Sequence, residues 1–243
     1  MSAAGLARSV ERRIVTVLFA DLTGYTALCQ DLDPEDVALL VRPVMERLRG
    51  IAEGLGAAVP GLQGDGFMAV LGAIVSREDD VLRAVLAGAR MQQVVAERRA
   101  TGLLPPFPPL RVAVHLGEAV VSPTTDTGGV DVTGDVVNVA SRLCSAAADS
   151  EVLVSAAAAR LLSAGGAAWL SEARPRTLRG RRDPVVALGV DWRQAHTAPL
   201  RRDLREHVPL VARSAARAAL AALVGAPPGP GRALVLVGEA GVG

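Results

Sequence analysis

The chain has 243 residues, of which 50% are hydrophobic and only 2% aromatic, and its formal net charge is +1. This length suits one full domain with additional material, and the hydrophobic share can bury a core made mainly of Ala, Val and Leu. A membrane or exported protein is disfavoured, because no segment approaches roughly 18 uncharged apolar residues and the N-terminus lacks the apolar centre of a secretory signal.

The first half of the chain predicts a strand, a helix and a hairpin. The run RIVTVLFA is β-branched, apolar and bounded by charges, which is typical of a buried strand. Asp33-Pro34-Glu35 marks a helix start, with a capping acid and Pro at the first helical position. Gly64-Asp65-Gly66 lies between two short apolar runs and predicts a hairpin turn. The predicted elements are a strand at 13–20, a helix at 33–54 and hairpin arms at 57–59 and 67–71.

The second half of the chain predicts further alternating helices and strands. They are a helix at 78–100, a strand at 110–116, a helix at 134–147, a strand at 151–154, a helix at 155–162 and a strand at 184–190. A Thr-, Gly- and Asp-rich loop at 123–129 and an Arg-rich, linker-like stretch at 175–183 separate some of them. The order predicts an α+β fold of the ferredoxin-like βαββαβ kind, with a mostly antiparallel sheet and helices on one face.

Cys29 and Cys144 lie in apolar, helix-like surroundings. We expect two buried thiols and no disulfide, as in the reducing cytoplasm. His115 lies in a strand among apolar neighbours and is expected to be a hydrogen-bonded core histidine. The Arg-rich stretch lacks interleaved aromatic residues, which disfavours nucleic acid as a partner.

Two aspartates are candidates for metal chemistry. Asp21 in FADLTGYT and Asp65 in GDGFMAV are each predicted to end an apolar strand, next to a glycine-containing turn. Either residue alone is more typical of a turn or cap. On neighbouring strands, however, the two carboxylates can hold a pair of Mg²⁺ or Mn²⁺ ions, which prefer oxygen ligands. Residues 23–26 then predict a helix start whose backbone amides face a triphosphate.

A third motif, DVTGDVVNVASR, begins at Asp131 and supports this interpretation. Asn138 and Arg142 are four residues apart and therefore lie on one face of a helix. An amide and a guanidinium that point the same way suit a charged pentacovalent phosphate.

The motifs FADLTGYT, GDGFMAV, RVAVHLGE and DVTGDVVNVASR, in this order, resemble the class III adenylate/guanylate cyclase catalytic domain. The resemblance covers about 12–162, with a trailing strand to about 190. It implies that Asp21 and Asp65 bind two metal ions per site, with the Leu22 carbonyl as a further ligand. It also implies that ATP is the substrate, that Thr23, Gly24, Tyr25 and Thr26 lie against it, and that the product is cyclic AMP.

The same resemblance assigns roles to the third motif. Asp131 is the base-selecting position and favours adenine, Asn138 orients the ribose, and Arg142 stabilises the α-phosphate in the transition state. In this family the metal-binding residues and the base and transition-state residues of one site come from different subunits. A homodimer with two composite sites is therefore implied.

One position departs from the family pattern. Gly61 stands four residues before Asp65, where the family usually has a Lys that recognises adenine, and the chain contains no Lys. An unmade buried hydrogen bond to the base costs about 1–3 kcal/mol. Two alternatives stay open beside an active adenylate cyclase: a silent nucleotide-sensing or dimerisation module, and a guanylate cyclase or an enzyme with relaxed base choice.

The C-terminal sequence LVLVGEAGVG resembles a strand and the start of a P-loop, from Gly238 to Gly243, that stops before the motif's Lys. The resemblance extends to bacterial regulators that join a cyclase to an ATPase. The expected organisation is a tail at 1–11, a cyclase domain at 12–190, a linker at 191–206 and the truncated start of a P-loop ATPase domain at 207–243.

Overall fold

The structure, a computed structural model, describes residues 10–60, 62–102, 104–124, 129–162 and 167–198. The predictions for Gly61, for the P-loop residues Gly238 and Gly243, and for the linker and ATPase segments beyond residue 198 lie outside the described residues.

The strands of the described residues form one mixed sheet in the order β2-β3-β1-β4-β6-β8-β7, with β5 paired to β4. Neighbouring strands are antiparallel except β4 and β6, which are parallel. The β4-β1-β3-β2 part has the predicted ferredoxin-like order, which confirms the fold class. The strands are β1 (Glu11–Leu22), β2 (Leu62–Gln63), β3 (Gly66–Leu71), β4 (Leu110–Pro123), β5 (Val130–Thr133), β6 (Val152–Ser155), β7 (Arg174–Arg176) and β8 (Val185–Gly189).

The helices agree closely with the sequence patterns. They are α1 (Tyr25–Asp31), α2 (Pro34–Gly54), α3 (Asp80–Ala100), α4 (Asp135–Ser145), α5 (Ala156–Ala159) and α6 (Trp192–Ala195). Asp33 occupies the N-cap position of α2, but its side chain accepts no capping hydrogen bond. Pro34 starts the helix because its fixed φ suits the first turn and its missing N–H would have no acceptor there.

Helices cover both faces of the sheet, so the expectation of helices on one face is wrong for α4. A Cβ on Gly88 of α3 would contact the side chains of Val112 and Val152. The next residues along those strands, Ala113 and Leu153, pack in one cluster with Leu143 of α4. Because successive side chains of a strand point to opposite faces, α3 and α4 lie on opposite sides of the sheet.

Three local predictions also need correction. Asp131 lies in a strand, β5, that was not predicted because the preceding residues 123–129 have the composition of a loop. Val130 and Val132 of that strand are buried. The Arg-rich stretch at 175–183 is not a linker: its start forms β7, which pairs with β8, and Leu178 is buried. Cys29 is exposed, because the short helix α1 buries only Leu28.

A buried glutamine joins α3 to the sheet. The Gln92 side-chain amide donates to the carbonyl oxygens of Leu110 at 2.9 Å and Glu151 at 3.1 Å, at the start of β4 and just before β6. We expect Gln92→Leu to lower the free energy of unfolding by about 0.5–1.5 kcal/mol, since each carbonyl loses a buried donor and keeps a backbone donor, from Ser150 and Val112. Urea unfolding measures this, and Gln93→Leu, which removes only an exposed bond to Glu97, is the matched control.

Candidate active site

Strand pairing brings the two predicted metal-binding aspartates together. Asp21 lies opposite Gly66 in the β1–β3 ladder, and the Leu22 amide donates to the Asp65 carbonyl at 2.9 Å. Asp21 is thus inside β1, which continues to Leu22, and Asp65 is in the turn before β3. The turn that carries Asp65 is where the sequence predicted it, and Asp21 lies one residue before the end of its strand.

The approach of the hairpin to β1 explains the glycine after Asp65. A Cβ on Gly66 would lie 2.9 Å from the Ala20 carbonyl oxygen and 3.1 Å from Asp21 Oδ1. Both distances are shorter than ordinary contacts, and one of the two atoms belongs to the backbone. The missing side chain therefore allows the turn that carries Asp65 to lie close to Asp21 of β1, at one edge of a cleft.

That cleft is a cavity of about 610 Å³. Four of the predicted site residues line it together: Asp21, Asp65, Asp131 and Asn138. Its walls also include apolar side chains, among them Phe19, Met68 and Val137. The volume falls within the range of small-molecule sites, and an apolar wall with a few converging polar groups is their usual composition.

Arg111 is a site residue that the sequence analysis missed. It lies opposite Asp21 in the β1–β4 ladder, and its guanidinium forms a partly buried ion pair with the Asp21 carboxylate. A second nitrogen donates to the Ser145 carbonyl at 3.3 Å, at the end of α4. Directly opposed residues of antiparallel strands share a face, so Arg111 would have been found once the register of 13–20 against 110–116 was known.

The surroundings of Asp65 disfavour its charged form. Burial raises the pKa of Asp65 above its ordinary value of 3.8, and the negative charge of Asp21 raises it further against the opposing effect of Arg111. Ionising Asp65 is therefore costly, because the group is partly buried and lies near a second carboxylate. A bound cation would lower this cost by stabilising both negative charges.

The donor set fits divalent magnesium or manganese. Two carboxylates, one on β1 and one in the turn before β3, supply hard oxygen ligands. The part of the chain that the structure describes contains no group of three or more His, Cys, Asp or Glu placed to bind a metal. Magnesium commonly takes only one or two carboxylates and completes its shell with waters and substrate phosphates.

We expect the two aspartates to have opposite effects on stability when each is made neutral in the presence of a chelator. Asp65→Asn should raise the free energy of unfolding at pH 7. The folded-state pKa of Asp65 is raised above its ordinary value of 3.8. Protonated Asp65 therefore stabilises the fold at a pH below about 3.8, and this contribution to the free energy of unfolding is lost as the pH rises through the raised pKa. Asp21→Asn should lower stability by about 1–3 kcal/mol, because Arg111 loses its partner. Urea unfolding at pH 7 and pH 4 measures both, and a shared sign at pH 7 would contradict this account.

The segment after β1 meets only part of its prediction. Gly24, with φ of +81°, is the N-cap of α1, so residues 23–26 do open a helix. The Thr23 amide, however, donates to the Pro109 carbonyl at 2.8 Å and is not free for a phosphate. A Cβ on Gly64, at the tip of the hairpin, would lie 3.9 Å from the Tyr25 ring, so Tyr25 stands beside the Asp65 turn. Leu22 and Thr26 flank this region, on β1 and in the first turn of α1.

The third motif spreads over β5 and α4. Asp131 and Asn138 are exposed and line the cavity. Arg142 is also exposed, but it does not line the cavity, and its guanidinium lies beside Gly180. The single chain therefore brings Asp21, Asp65, Asp131 and Asn138 together, and Arg142 lies outside this group.

Two other candidate groups are structural. His115 Nδ1 forms a 2.8 Å hydrogen bond with Ser155 Oγ, and burial lowers its pKa, as expected for a core histidine. Cys144 also lines the cavity, but burial raises its pKa to about 12, so it stays a protonated thiol.

None of the helices in the described ranges is both long enough and apolar enough to cross a membrane.

Comparison with known proteins agrees with this geometry. The sequence model of the adenylate and guanylate cyclase catalytic domain matches residues 8–187. Adenylate cyclase 1 of Rhizobium meliloti (strain 1021) is 29% identical over 142 residues, which cover 56% of this chain and 21% of that protein. The chain thus spans about a fifth of the length of this curated relative.

Solved structures with the same fold include enzymes of both base specificities. The guanylyl cyclase Cya2 matches with a TM-score of 0.67 and 27% identity, over 74% of this chain and 93% of that one. The adenylyl cyclase CyaB from P. aeruginosa matches with a TM-score of 0.64 and 26% identity, over 81% of this chain and 99% of that one. The family match covers most of the chain and includes the whole cleft, and this protein belongs to the adenylate and guanylate cyclase catalytic domain family.

Proposed function

We propose that the chain is an adenylate cyclase that converts ATP to 3′,5′-cyclic AMP and pyrophosphate, in intracellular signal transduction. The observation that carries the proposal is the cavity of about 610 Å³ on which Asp21, Asp65, Asp131 and Asn138 converge. The family match gives the reaction class, and the chemistry of these side chains gives their roles.

In this proposal Asp21 and Asp65 hold two Mg²⁺ or Mn²⁺ ions, with the Leu22 carbonyl as a further ligand. When bound, the ions supply charge neutralisation and activation for an in-line displacement at phosphorus. The Arg111 ion pair fixes Asp21 at the cavity wall, which reduces the entropy lost on binding. The 3′-hydroxyl forms a bond to the α-phosphorus, the bond to the β-phosphate oxygen breaks, and the hydroxyl proton is released.

The remaining groups orient and stabilise the substrate. The exposed Asp131 carboxylate accepts a hydrogen bond from the adenine amino group, and the Asn138 amide orients the ribose. The Arg142 guanidinium stabilises the negative charge that develops on the α-phosphate, an interaction that acts mainly in the transition state. Because Arg142 does not line the cavity of its own chain, we propose that it serves the site of the second subunit in a homodimer.

The wider setting is also a proposal. The free thiols Cys29 and Cys144 suit the cytoplasm. The sequence at Gly238–Gly243 suits the start of a P-loop ATPase, so we propose that the chain is the N-terminal part of a larger cyclase–ATPase regulator.

The second candidate is a silent nucleotide-sensing or dimerisation module, and the observation that favours it is Gly61. This position follows Pro60, which lines the cavity, and it lacks the family's adenine-binding Lys. The third is a guanylate cyclase or relaxed base use, since relatives of similar identity carry either specificity.

Incubation with Mn²⁺ and either ATP or GTP separates the three. Cyclic AMP above the level of an Asp21→Asn control supports the proposal, and cyclic GMP at an equal or higher rate supports the third candidate. Saturable, metal-dependent ATP binding by calorimetry with neither product would instead identify a silent module.

A further inference from the structure

The Arg-rich segment between β7 and β8 has a defined place in the fold. Residues 177–184 connect two paired strands and fold back along α4, the helix that carries Asn138 and Arg142. Leu178 is only 1% exposed and packs in one cluster with Val139 and Leu143 of α4. One apolar side chain thus anchors an otherwise charged segment to this helix.

Two further contacts define the course of the segment beside α4. Arg181 donates to Asp135, in the first turn of α4, at 2.6 Å. The pair is largely exposed, so its contribution to stability is small, but it limits where the segment lies. Gly180, between the anchor and the ion pair, has a left-handed φ of +74°.

Gly180 lies against the guanidinium of Arg142. A Cβ at this position would lie 3.3 Å from Nη1, 3.7 Å from Cζ and 3.7 Å from Nη2 of Arg142. Nη1 is the nearest of the three atoms, and the other two lie at ordinary contact distance. A methyl group at this position would therefore displace Nη1 by a few tenths of an ångström, in addition to straining the backbone.

Arg142 has no carboxylate partner in the part of the chain described. An exposed arginine normally samples many rotamers, and fixing one of them costs conformational entropy. A carboxylate would fix it but would also neutralise the charge that a phosphate needs. A backbone surface restricts the side chain and leaves its charge and its donors available.

We infer that the β7–β8 segment is a positioning element for Arg142, in which Leu178 anchors the segment and the bare backbone at Gly180 leaves room for the guanidinium, a contact that we call the seat. The catalytic purpose of the seat rests on the proposed function, but the seat itself does not. Gly180 does not touch substrate, so it acts through Arg142 alone.

The test compares Gly180→Ala with Gly102→Ala in the 243-residue chain. Gly102 has a similar φ of +66° but open space around its Cβ position, so it controls for backbone strain. The first readout is the side-chain Nε–H resonance of Arg142, assigned by its loss in Arg142→Lys. The second is the rate of cyclic AMP formation, divided into kcat and KM.

We expect Gly180→Ala to shift the Arg142 resonance and to lower kcat about ten- to a hundredfold with little change in KM. Gly102→Ala should change neither, although both variants lose similar thermal stability. An unshifted Arg142 resonance in Gly180→Ala overturns the seat, whatever the activity. A shifted resonance with unchanged kcat overturns the positioning role. If the wild-type chain makes no cyclic nucleotide, the proposed function is what fails, and the resonance alone still decides whether the seat exists.

Discussion

Asp21→Asn and Asp65→Asn are each expected to lower cyclic AMP formation at least about a hundredfold, because each removes a charged ligand of the proposed metal pair. The side chains keep their size, and the strand pairing of Asp21 with Gly66 uses only backbone groups. The loss should therefore appear in catalysis while the fold remains.

The opposite stability changes expected for these two variants make the activity result easier to interpret. If activity is lost in both, but Asp65→Asn is more stable than wild type, unfolding cannot explain the loss in Asp65→Asn. Mn²⁺ binding followed by electron paramagnetic resonance gives a readout that does not depend on turnover, and each variant should bind the ion more weakly. Wild-type levels of product from either variant would contradict the assignment of the pair.

Mixing two inactive chains is expected to restore activity if Arg142 acts on the partner's site. Asp21→Asn lacks the metal half and Arg142→Ala lacks the transition-state half. Random pairing of equal amounts makes about half of the dimers mixed, each with one intact site of two, so about a quarter of the wild-type rate should return. The rate of cyclic AMP formation before and after mixing measures this.

A second mixture determines which chain supplies Asn138. Asn138 lines the same cavity as Asp21 in one chain, whereas Arg142 does not. If Asn138 also serves the partner's site, Asp21→Asn mixed with Asn138→Ala should recover activity as well. If activity returns in the mixture with Arg142→Ala but not in the mixture with Asn138→Ala, Asn138 acts within its own chain. No recovery in either mixture would contradict the composite site.

Local patterns predicted most of the fold. The run at 13–20 became β1, Asp33-Pro34 placed the start of α2 correctly, and the Gly64-Asp65-Gly66 turn joins β2 to β3. These predictions were accurate because side-chain period, the fixed φ of proline and turn chemistry act over a few neighbouring residues.

The features that sequence reasoning missed depend on contacts between distant residues. Arg111 becomes a site residue only through its register opposite Asp21, 90 positions away. The Arg-rich stretch has the composition of a linker, and one buried leucine, Leu178, makes it part of the fold. Cys29 is exposed because α1 buries only Leu28. The apolar residues near Cys29 in the sequence do not indicate how much of the helix is covered in the fold.

The base specificity depends on position 61, where this sequence differs from the family pattern. Asp131 is present, and Gly61 replaces the usual Lys. We expect a raised KM for ATP relative to enzymes with the Lys, with kcat less affected, because the missing contact binds the base equally in the ground and transition states.

The stoichiometry of the products formed from ATP with Mn²⁺ tests the proposed reaction itself. We expect cyclic AMP and pyrophosphate in equal amounts, and neither product when EDTA replaces the metal or when Asn replaces Asp21. Pyrophosphate without cyclic AMP, or no turnover of ATP or GTP at any metal concentration, would contradict it.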